Sequence, residues 1–414
     1  AGGEAAQADR GMPRLVAAFI LSLIVPISFN LGPVALMPFR VVLLIAFAPL
    51  AMRFFLSKTF RFHVFDWLVL GWIAWATMAL LANHGFGIVE FAGSRVVEVL
   101  GAWMLGRAGI RSAEDMRALA RLMFWCVLAL LPFAVVESCT GRRIIGDLLP
   151  STPRMLETVP RWGLNRANVV FTHPILFGVF VTSSMGLSWY VFDWGSSLPA
   201  RAGRSVVIFL ATFFSLSAGA IVAFASQAIA IGWDQTMSKM KDHWKTFGWG
   251  LVAGYVTLDI LSNRSPFHLV VDYLTFSTGA AYNRILIFRF GIQSVWSNPV
   301  FGIGQKDWAR PGWMGASVDN FWLYNAMQFG IPGFLFLAVA VTLLMRSVFR
   351  AKLSDPRDHA CRAGWAVAVS GMIVAGGTVH YWTMMLSFFV FMLAMGAWLV
   401  DAPGRGGAAA EAPA

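Results

Sequence analysis

An acid and an amide stand together at the start of an apolar stretch, in the sequence Asp319-Asn320-Phe321-Trp322-Leu323. A carboxylate in such a place can take the proton from a hydroxyl group that attacks a substrate. The same carboxylate can instead cap the helix that the pattern predicts from about Phe321. The two roles are compatible, and the sequence leaves both open for Asp319.

The stretch before this acid is basic and contains Arg284, Arg289, Lys306 and Arg310. Two more arginines, Arg161 and Arg166, lie in an earlier polar segment. Planar guanidinium groups match phosphate oxygens with paired hydrogen bonds. Arg161, Arg166 and Arg284 are therefore candidates for binding a pyrophosphate. The alternative is that some of them only bind lipid phosphates or extend to the membrane surface.

His173, in the sequence Phe171-Thr172-His173-Pro174, is a second candidate base, with a purely structural role as its alternative. No metal-ligand cluster, phosphate-binding loop or nucleophile motif is visible. The three cysteines form no CxxC pair, so neither a disulfide framework nor a zinc site is predicted. The sequence thus predicts no cofactor and no metal.

The composition predicts the elements that must position these groups. Of 414 residues, 58% are hydrophobic and only 13% are charged, well below the share of charged residues in soluble domains. Apolar runs recur from Leu15 to Val400, and most are long enough to cross a bilayer core. A backbone in contact with lipid must be helical. We therefore expect an all-α, polytopic membrane protein with about twelve transmembrane helices.

The expected organisation is one transmembrane domain, residues 15–400, between disordered ends at 1–14 and 401–414. Two long periplasmic loops are expected, at 137–168 and 263–319. No signal peptide is predicted, because the first apolar run is long enough to remain as a span. The predicted spans lie near 15–30, 34–52, 65–82, 87–105, 119–136, 169–192, 205–218, 219–233, 247–262, 320–345, 363–379 and 382–400.

The net charge of +11 suggests a nucleic-acid partner at first sight, but its placement argues against one. With these spans, about 20 of the 32 basic residues lie on the side of both termini, which the positive-inside rule makes cytoplasmic. About ten lie in the two long loops on the other side, which translocate despite their charge. The rule does not explain those ten, so they need another reason.

Three segments allow alternative structures. Residues 205–233 are long for one upright helix and short for two, and Ser215, Ser217 and Gly219 favour a reversal between two helices. Residues 282–296 have helical spacing of apolar residues, so they form either an amphipathic helix on the membrane or a helix packed on the spans. Arg95 and Glu98 suit a buried ion pair on one helix.

Short motifs cluster in the last third of the chain, where they follow one another in a fixed order. They are Arg284 with Trp296, then Asn298-Pro299-Val300-Phe301-Gly302-Ile303-Gly304, then Asp319-Asn320 with Leu323 and Gly330, then Ile331-Pro332-Gly333. In these motifs the chain resembles the bacterial O-antigen ligases and the related Wzy-type polysaccharide polymerases. One position departs from the family pattern, because this chain has Asp319 where the family usually has a histidine.

The resemblance implies a GT-C-like membrane glycosyltransferase of the bacterial inner membrane, with its site facing the periplasm. Its donor would be an undecaprenyl-pyrophosphate-linked glycan, and its acceptor a glycan or a lipid hydroxyl. The missing histidine favours a polymerase of exopolysaccharide or O-antigen over a ligase onto lipid A-core. No metal is expected if arginines neutralise the leaving pyrophosphate. A polysaccharide or lipid transporter is the rival from another class.

Overall fold

The structure is a computed structural model, and it describes residues 13–31, 34–56, 60–149, 159–261 and 278–402. The described chain is mainly helical, as its composition predicts. Its helices are α1 (Pro13–Leu23), α2 (Pro38–Leu56), α3 (Val64–His84), α4 (Val89–Gly109), α5 (Ala113–Thr140), α6 (Ile144–Leu148), α7 (Pro174–Thr182), α8 (Met185–Tyr190), α9 (Leu198–Phe214), α10 (Ala218–Met237), α11 (His243–Leu261), α12 (Thr278–Ser297), α13 (Phe321–Arg350), α14 (Pro356–Gly376), α15 (Met384–Ala394) and α16 (Trp398–Asp401), with a 3₁₀ turn at Gly85–Ile88.

Five helical stretches within these ranges are long and apolar enough to cross a membrane. They are Pro38–Leu56, Val64–Gly109, Ala113–Thr140, Phe321–Arg350 and Met384–Asp401. These stretches support the prediction of a membrane-embedded helical protein. The predicted number of about twelve crossings exceeds five, and it remains a prediction.

Two predicted spans begin or end differently in the structure. The first, 15–30, is helical only to Leu23, and Phe29–Leu31 (β1) pairs antiparallel with Val34–Leu36 (β2). Pro26 has no N–H to continue the helix, which explains the early end. The span predicted at 169–192 is divided between α7 and α8. Between them the hydroxyls of Ser183 and Ser184 donate to the carbonyls of Phe180 and Val181, at 2.6 and 2.7 Å.

The buried core lies where small residues let helices approach each other. At Gly106 of α4 an added Cβ would lie 2.7 Å from Ala394 Cβ of α15, so these two helices meet almost backbone to backbone. At Gly71 of α3 the ring of Phe336 from α13 takes the equivalent space, at 2.8 Å. Membrane helices associate largely through such close packing, because lipid offers no hydrophobic driving force between them.

Helix α13 is broken at Gly330, and the loop that follows α12 repairs the break. Gly330 has φ 74° and ψ −179°, a conformation open essentially to glycine alone. The carbonyls of Met327 and Gln328 accept instead from Ile303 and Gly304 N–H, at 2.8 and 3.0 Å. The motif segment 298–304 therefore supplies the hydrogen bonds that the helix loses, so these two carbonyls stay paired.

Where α3 begins and α4 ends, a buried ion network joins three parts of the chain. Arg107 donates to Asp66 at 3.1 Å and to Asp401 at 3.1 Å. His63 contacts Asp401 at 2.7 Å, and Trp103 donates to Asp66 at 2.9 Å. Asp401 is thus part of the ordered fold, although the sequence predicts disorder from residue 401.

The predicted disorder of the two termini falls mostly outside the described part of the chain. Residues 1–12 and 403–414 are not described, so their predicted disorder is untested. Pro13 and Arg14 were predicted disordered but belong to α1, where helical hydrogen bonding with the following turn orders them.

The three ambiguous segments are now defined. Residues 205–233 form parts of two helices, α9 and α10, and Phe209 packs on Phe224 across the turn, with 5.4 Å between the ring centres. Residues 282–296 lie within α12, which packs on α13 through Gly291 and Leu323. The predicted Arg95–Glu98 pair is wrong, because Glu98 instead accepts from Arg40 of α2 at 2.6 Å.

Candidate functional site

The candidate site lies at one end of the helix bundle, where α3 and α5 end and where α7 and α13 begin; we call this the site end. The segment 159–173 enters it as a tight hairpin, in which the backbones of Arg161 and Leu164 exchange hydrogen bonds of 2.9 Å. Trp162 and Gly163 both have positive φ, 52° and 76°, as a two-residue hairpin turn requires. Arg161 Nη1 donates to the Leu216 carbonyl at 2.6 Å, which ties the hairpin to the α9–α10 turn.

Glu137, near the end of α5, fixes the next part of this segment. Its two carboxylate oxygens accept from the backbone N–H groups of Asn168 and Val169, at 3.2 and 2.8 Å. Val169 has φ 58°, which is strained for a β-branched residue. The carboxylate therefore holds a backbone shape that the chain would not adopt unaided, between Arg166 and His173.

Asp319 does not cap α13. The Asn320 side chain accepts from Leu323 N–H at 2.9 Å and is the cap, so the predicted capping role belongs to the neighbouring residue. Asp319 is half-buried, and one of its oxygens accepts from the Ser317 hydroxyl at 2.7 Å. Its carboxylate is thus available for a role other than capping.

Arg161 lies within electrostatic range of Arg166 and Arg284, and both of these arginines lie within range of Asp319. Burial lowers the pKa of Arg284, Asp319 opposes this effect, and Arg161 adds to it. Burial and the nearby Arg161 lower the pKa of Arg166 to about 10, while Asp319 works in the opposite direction. Burial also lowers the pKa of Arg161. All three remain protonated at neutral pH, so positive charge in this cluster exceeds the single negative charge of Asp319.

An open cleft lies beside this charge cluster. Its volume is about 280 Å³ when the open solvent at its mouth is included, and it is lined by Arg284, Ile287, Phe288, Asp319, Asn320, Leu323, Gly377 and Thr378. One wall comes from α12, one from the start of α13, and one from the turn after α14. A charged, partly apolar cleft of this kind suits a phosphorylated group attached to an apolar chain.

His173 is at the site end but has a structural task. Its Nδ1 accepts from Ile175 N–H at 3.1 Å and caps α7. A neutral imidazole that accepts through Nδ1 carries its proton on Nε2. In this state His173 can donate a hydrogen bond through Nε2, and its role as a base stays a prediction. Its ring packs edge-on against Trp382 at 5.8 Å.

The other basic residues of the loop have different positions. Arg310 is paired with Asp307 and also donates to the Met314 carbonyl at 3.0 Å. Lys306 donates to Asn83 at 3.2 Å. Arg289 is exposed, on the same helix as Arg284. The sequence groups these residues with Arg284, but the structure gives two of them local structural contacts.

Sequence reasoning missed Glu137, Ser317 and Thr378. Glu137 follows directly on an apolar run, and an acid in that place was the available signal. In the structure Arg143, just beyond α5, lies 3.6 Å from its carboxylate. Ser317 and Thr378 carry no sequence signal of a site, because single hydroxyl residues are common in loops and helix ends. The five predicted residues, in contrast, all lie at the site end. They are Arg161, Arg166, His173, Arg284 and Asp319, and each lies within electrostatic range of at least two of the others.

The site must be interpreted from its own geometry. Comparison of the chain with models of known protein families and with curated proteins gives no match.

Proposed function

We propose that the chain is a membrane glycosyltransferase that uses a polyprenyl-pyrophosphate-linked glycan as donor, on the periplasmic side of the bacterial inner membrane. The observation that carries this proposal is the charge cluster. Arg161 and Arg166 come from one segment and Arg284 from a helix far along the chain, yet Arg161 lies within electrostatic range of both other arginines, and Arg166 and Arg284 lie within range of Asp319. Excess positive charge beside a cleft in a membrane protein favours a lipid-linked diphosphate.

The reaction would be a displacement at the anomeric carbon of the donor sugar. The acceptor hydroxyl forms the new glycosidic bond, while the bond between the anomeric carbon and the pyrophosphate oxygen breaks. The electron pair leaves with the pyrophosphate, and the hydroxyl proton passes to a base. Negative charge grows on the leaving group in the transition state, where fixed guanidinium groups stabilise it most.

In this scheme Arg166 and Arg284 bind the pyrophosphate, and Arg161 adds positive charge from the hairpin. Asp319 takes the acceptor proton through the carboxylate oxygen that Ser317 does not occupy. His173 Nε2 is a donor and orients an oxygen of donor or acceptor. A GT-C-like arrangement of about twelve spans is the architecture that we propose for this chemistry.

The test is turnover by purified protein in detergent, given a polyprenyl-pyrophosphate oligosaccharide. We expect a longer glycan together with released polyprenyl pyrophosphate.

Arg284→Ala should reduce the rate by roughly 10²- to 10³-fold, because one donor to the developing charge is lost. The matched control is Arg289→Ala, an exposed arginine on the same helix, which should leave the rate unchanged.

The acceptor decides between two forms of the reaction. A polymerase extends a second lipid-linked glycan, and we prefer this form; a ligase transfers the glycan to lipid A-core. Supplying each acceptor separately distinguishes them, because only the matching one yields a product of increased mass.

A transporter or flippase is the second candidate, and the break in α13 is the observation in its favour. Broken helices with freed backbone groups line the substrate sites of many transporters. Here, however, the freed carbonyls are already bonded to the loop 298–304 and to Trp75 Nε1, at 2.8–3.0 Å. Substrate-dependent transport in liposomes without turnover would reject the enzyme and support the transporter.

A further inference from the structure

A second cavity lies deeper than the cleft, between α3, α4, α13 and the turn before α15; we call it the inner cavity. Its polar lining residues are Trp72, Arg95, Tyr324, Asn325, Gln328 and His380. It holds about 280 Å³ of empty space, part of it open to solvent. Arg95 is six residues into α4 and Gln328 seven into α13, so both lie about 9–10 Å along their helices from the site end.

Several polar atoms around this cavity have no hydrogen-bond partner among the described residues. They are Trp72 Nε1, Arg95 Nε, His380 Nδ1 and both the nitrogen and the oxygen of the Gln328 amide. Gln328 is only 1% exposed, so water outside the protein cannot satisfy its side chain. A buried polar group without a partner costs about 1–3 kcal/mol. A cluster of them around one cavity is the pattern of a binding site.

The charge of Arg95 is also uncompensated within the described ranges. Glu98, the acid that the sequence pairs with Arg95, instead accepts a hydrogen bond from Arg40 at 2.6 Å. Arg95 instead lies over the ring of Phe91, at 5.7 Å from the guanidinium carbon to the ring centre. An aromatic face attracts a cation but does not neutralise it.

The chemistry of these groups selects the ligand. A guanidinium and an indole N–H can only donate hydrogen bonds. The Gln328 amide and the His380 ring can donate as well as accept them. The ligand must therefore offer acceptor oxygens, and the charge of Arg95 favours a negative one. Aromatic walls, including Phe321, Phe329 and Tyr381, lower the local dielectric and strengthen such an interaction.

We propose that the inner cavity is a separate binding site for one oxyanion, a carboxylate or a phosphate group. The site is distinct from the outer charge cluster, because its arginine, amide and indole belong to other residues. The anionic group can come from an acidic sugar or from a phosphate, free or in a lipid head group. The assignment does not depend on whether the chain transfers or transports glycans.

The experiment measures the thermal unfolding midpoint of the full chain in detergent at constant sodium concentration. Glucuronate is compared with glucose, its neutral counterpart, and inorganic phosphate is compared with chloride. Micelles containing phosphatidate are compared with micelles containing phosphatidylcholine. We expect a concentration-dependent rise of the midpoint with at least one oxyanion and none with its matched control compound.

Variants locate the effect. Arg95→Gln and Gln328→Met should each weaken the apparent affinity for that oxyanion about tenfold or more, while Arg284→Gln should preserve it. Trp72→Phe removes the indole N–H and provides a further variant if Arg95→Gln does not fold. Equal midpoints with every oxyanion and its partner would overturn the proposal. So would an effect that Arg284→Gln abolishes and Arg95→Gln does not, since the anion would then bind the outer cluster.

Discussion

At the scale of single residues, the division of work between Asp319 and Asn320 matters most. Adjacent acid and amide residues both suit a helix cap, and only one can occupy that position. In the structure Asn320 makes the capping bond of 2.9 Å, and Asp319 points its charge into the arginine cluster. The two substitutions should therefore have separable effects.

Asp319→Asn should lower transfer by about 10²-fold or more with little change in thermal stability, because it removes the base and leaves the cap. Asn320→Ala should lower stability by about 1 kcal/mol and leave the rate per folded molecule near normal. Paired measurements of turnover and unfolding on both variants check this. Near-normal turnover of Asp319→Asn would exclude Asp319 as the base.

At the scale of elements, the segment 165–173 depends on a carboxylate that belongs to another helix. Ser138 of α5 adds to this support, since its hydroxyl donates to the Asn165 carbonyl at 2.7 Å. The end of α5 thus fixes the backbone on both sides of Arg166 through Glu137 and Ser138. Glu137 acts as a positioning residue, because it reaches the backbone of the segment and not the cleft.

Glu137→Gln should place the amide NH₂, a donor, against one of the two backbone N–H groups that now donate to the carboxylate. We expect a loss of about 1–3 kcal/mol in stability, together with a higher KM for the donor and a smaller change in kcat. Steady-state kinetics with varied donor measure the split. The matched control is Glu114→Gln on the same helix, where the side chain is 58% exposed. A stability loss without any change in KM would reduce Glu137 to a purely structural role.

The broken helix makes a second prediction at this scale. A Cβ at Gly330 would lie 2.1 Å from the Val300 carbonyl oxygen, and the backbone there has φ 74°. Gly330→Ala should therefore destabilise the protein by roughly 2–4 kcal/mol. Gly232→Ala, in α10 with open space around it, should be neutral or stabilising by about 0.5–1 kcal/mol. Thermal unfolding of both variants checks this, and equal stabilities would contradict the proposed role of the break.

At the scale of the whole molecule, composition predicted the helical membrane protein, and the basic segments together with the Asp319 stretch pointed to residues that meet at the site end. The sequence could not predict the partner of Glu98, because helix spacing favours Arg95 while the tertiary fold brings Arg40 closer. It could not predict what holds segment 298–304 in place, because the N–H groups of Ile303 and Gly304 donate to the carbonyls of Met327 and Gln328, 24 residues further along the chain. Long-range pairs of this kind depend on how helices pack.

Helix ends were the other weak point of prediction. The apolar run at 169–192 contains Ser183 and Ser184, whose hydroxyl bonds to the preceding turn divide it into α7 and α8. Hydropathy alone does not register such a break, because two serines change the mean little. The inner cavity was equally hidden, since it needs Arg95, Gln328 and His380 from three separate segments.

The central claim is that Arg166 and Arg284 bind a lipid-linked pyrophosphate. Its most direct test is equilibrium binding of polyprenyl pyrophosphate and of polyprenyl monophosphate to the purified protein. We predict tighter binding of the pyrophosphate by about tenfold or more, lost in Arg166→Ala and Arg284→Ala and kept in Arg289→Ala. Equal affinity for the two lipids in the unmodified protein, or unchanged binding in both variants, would contradict the account.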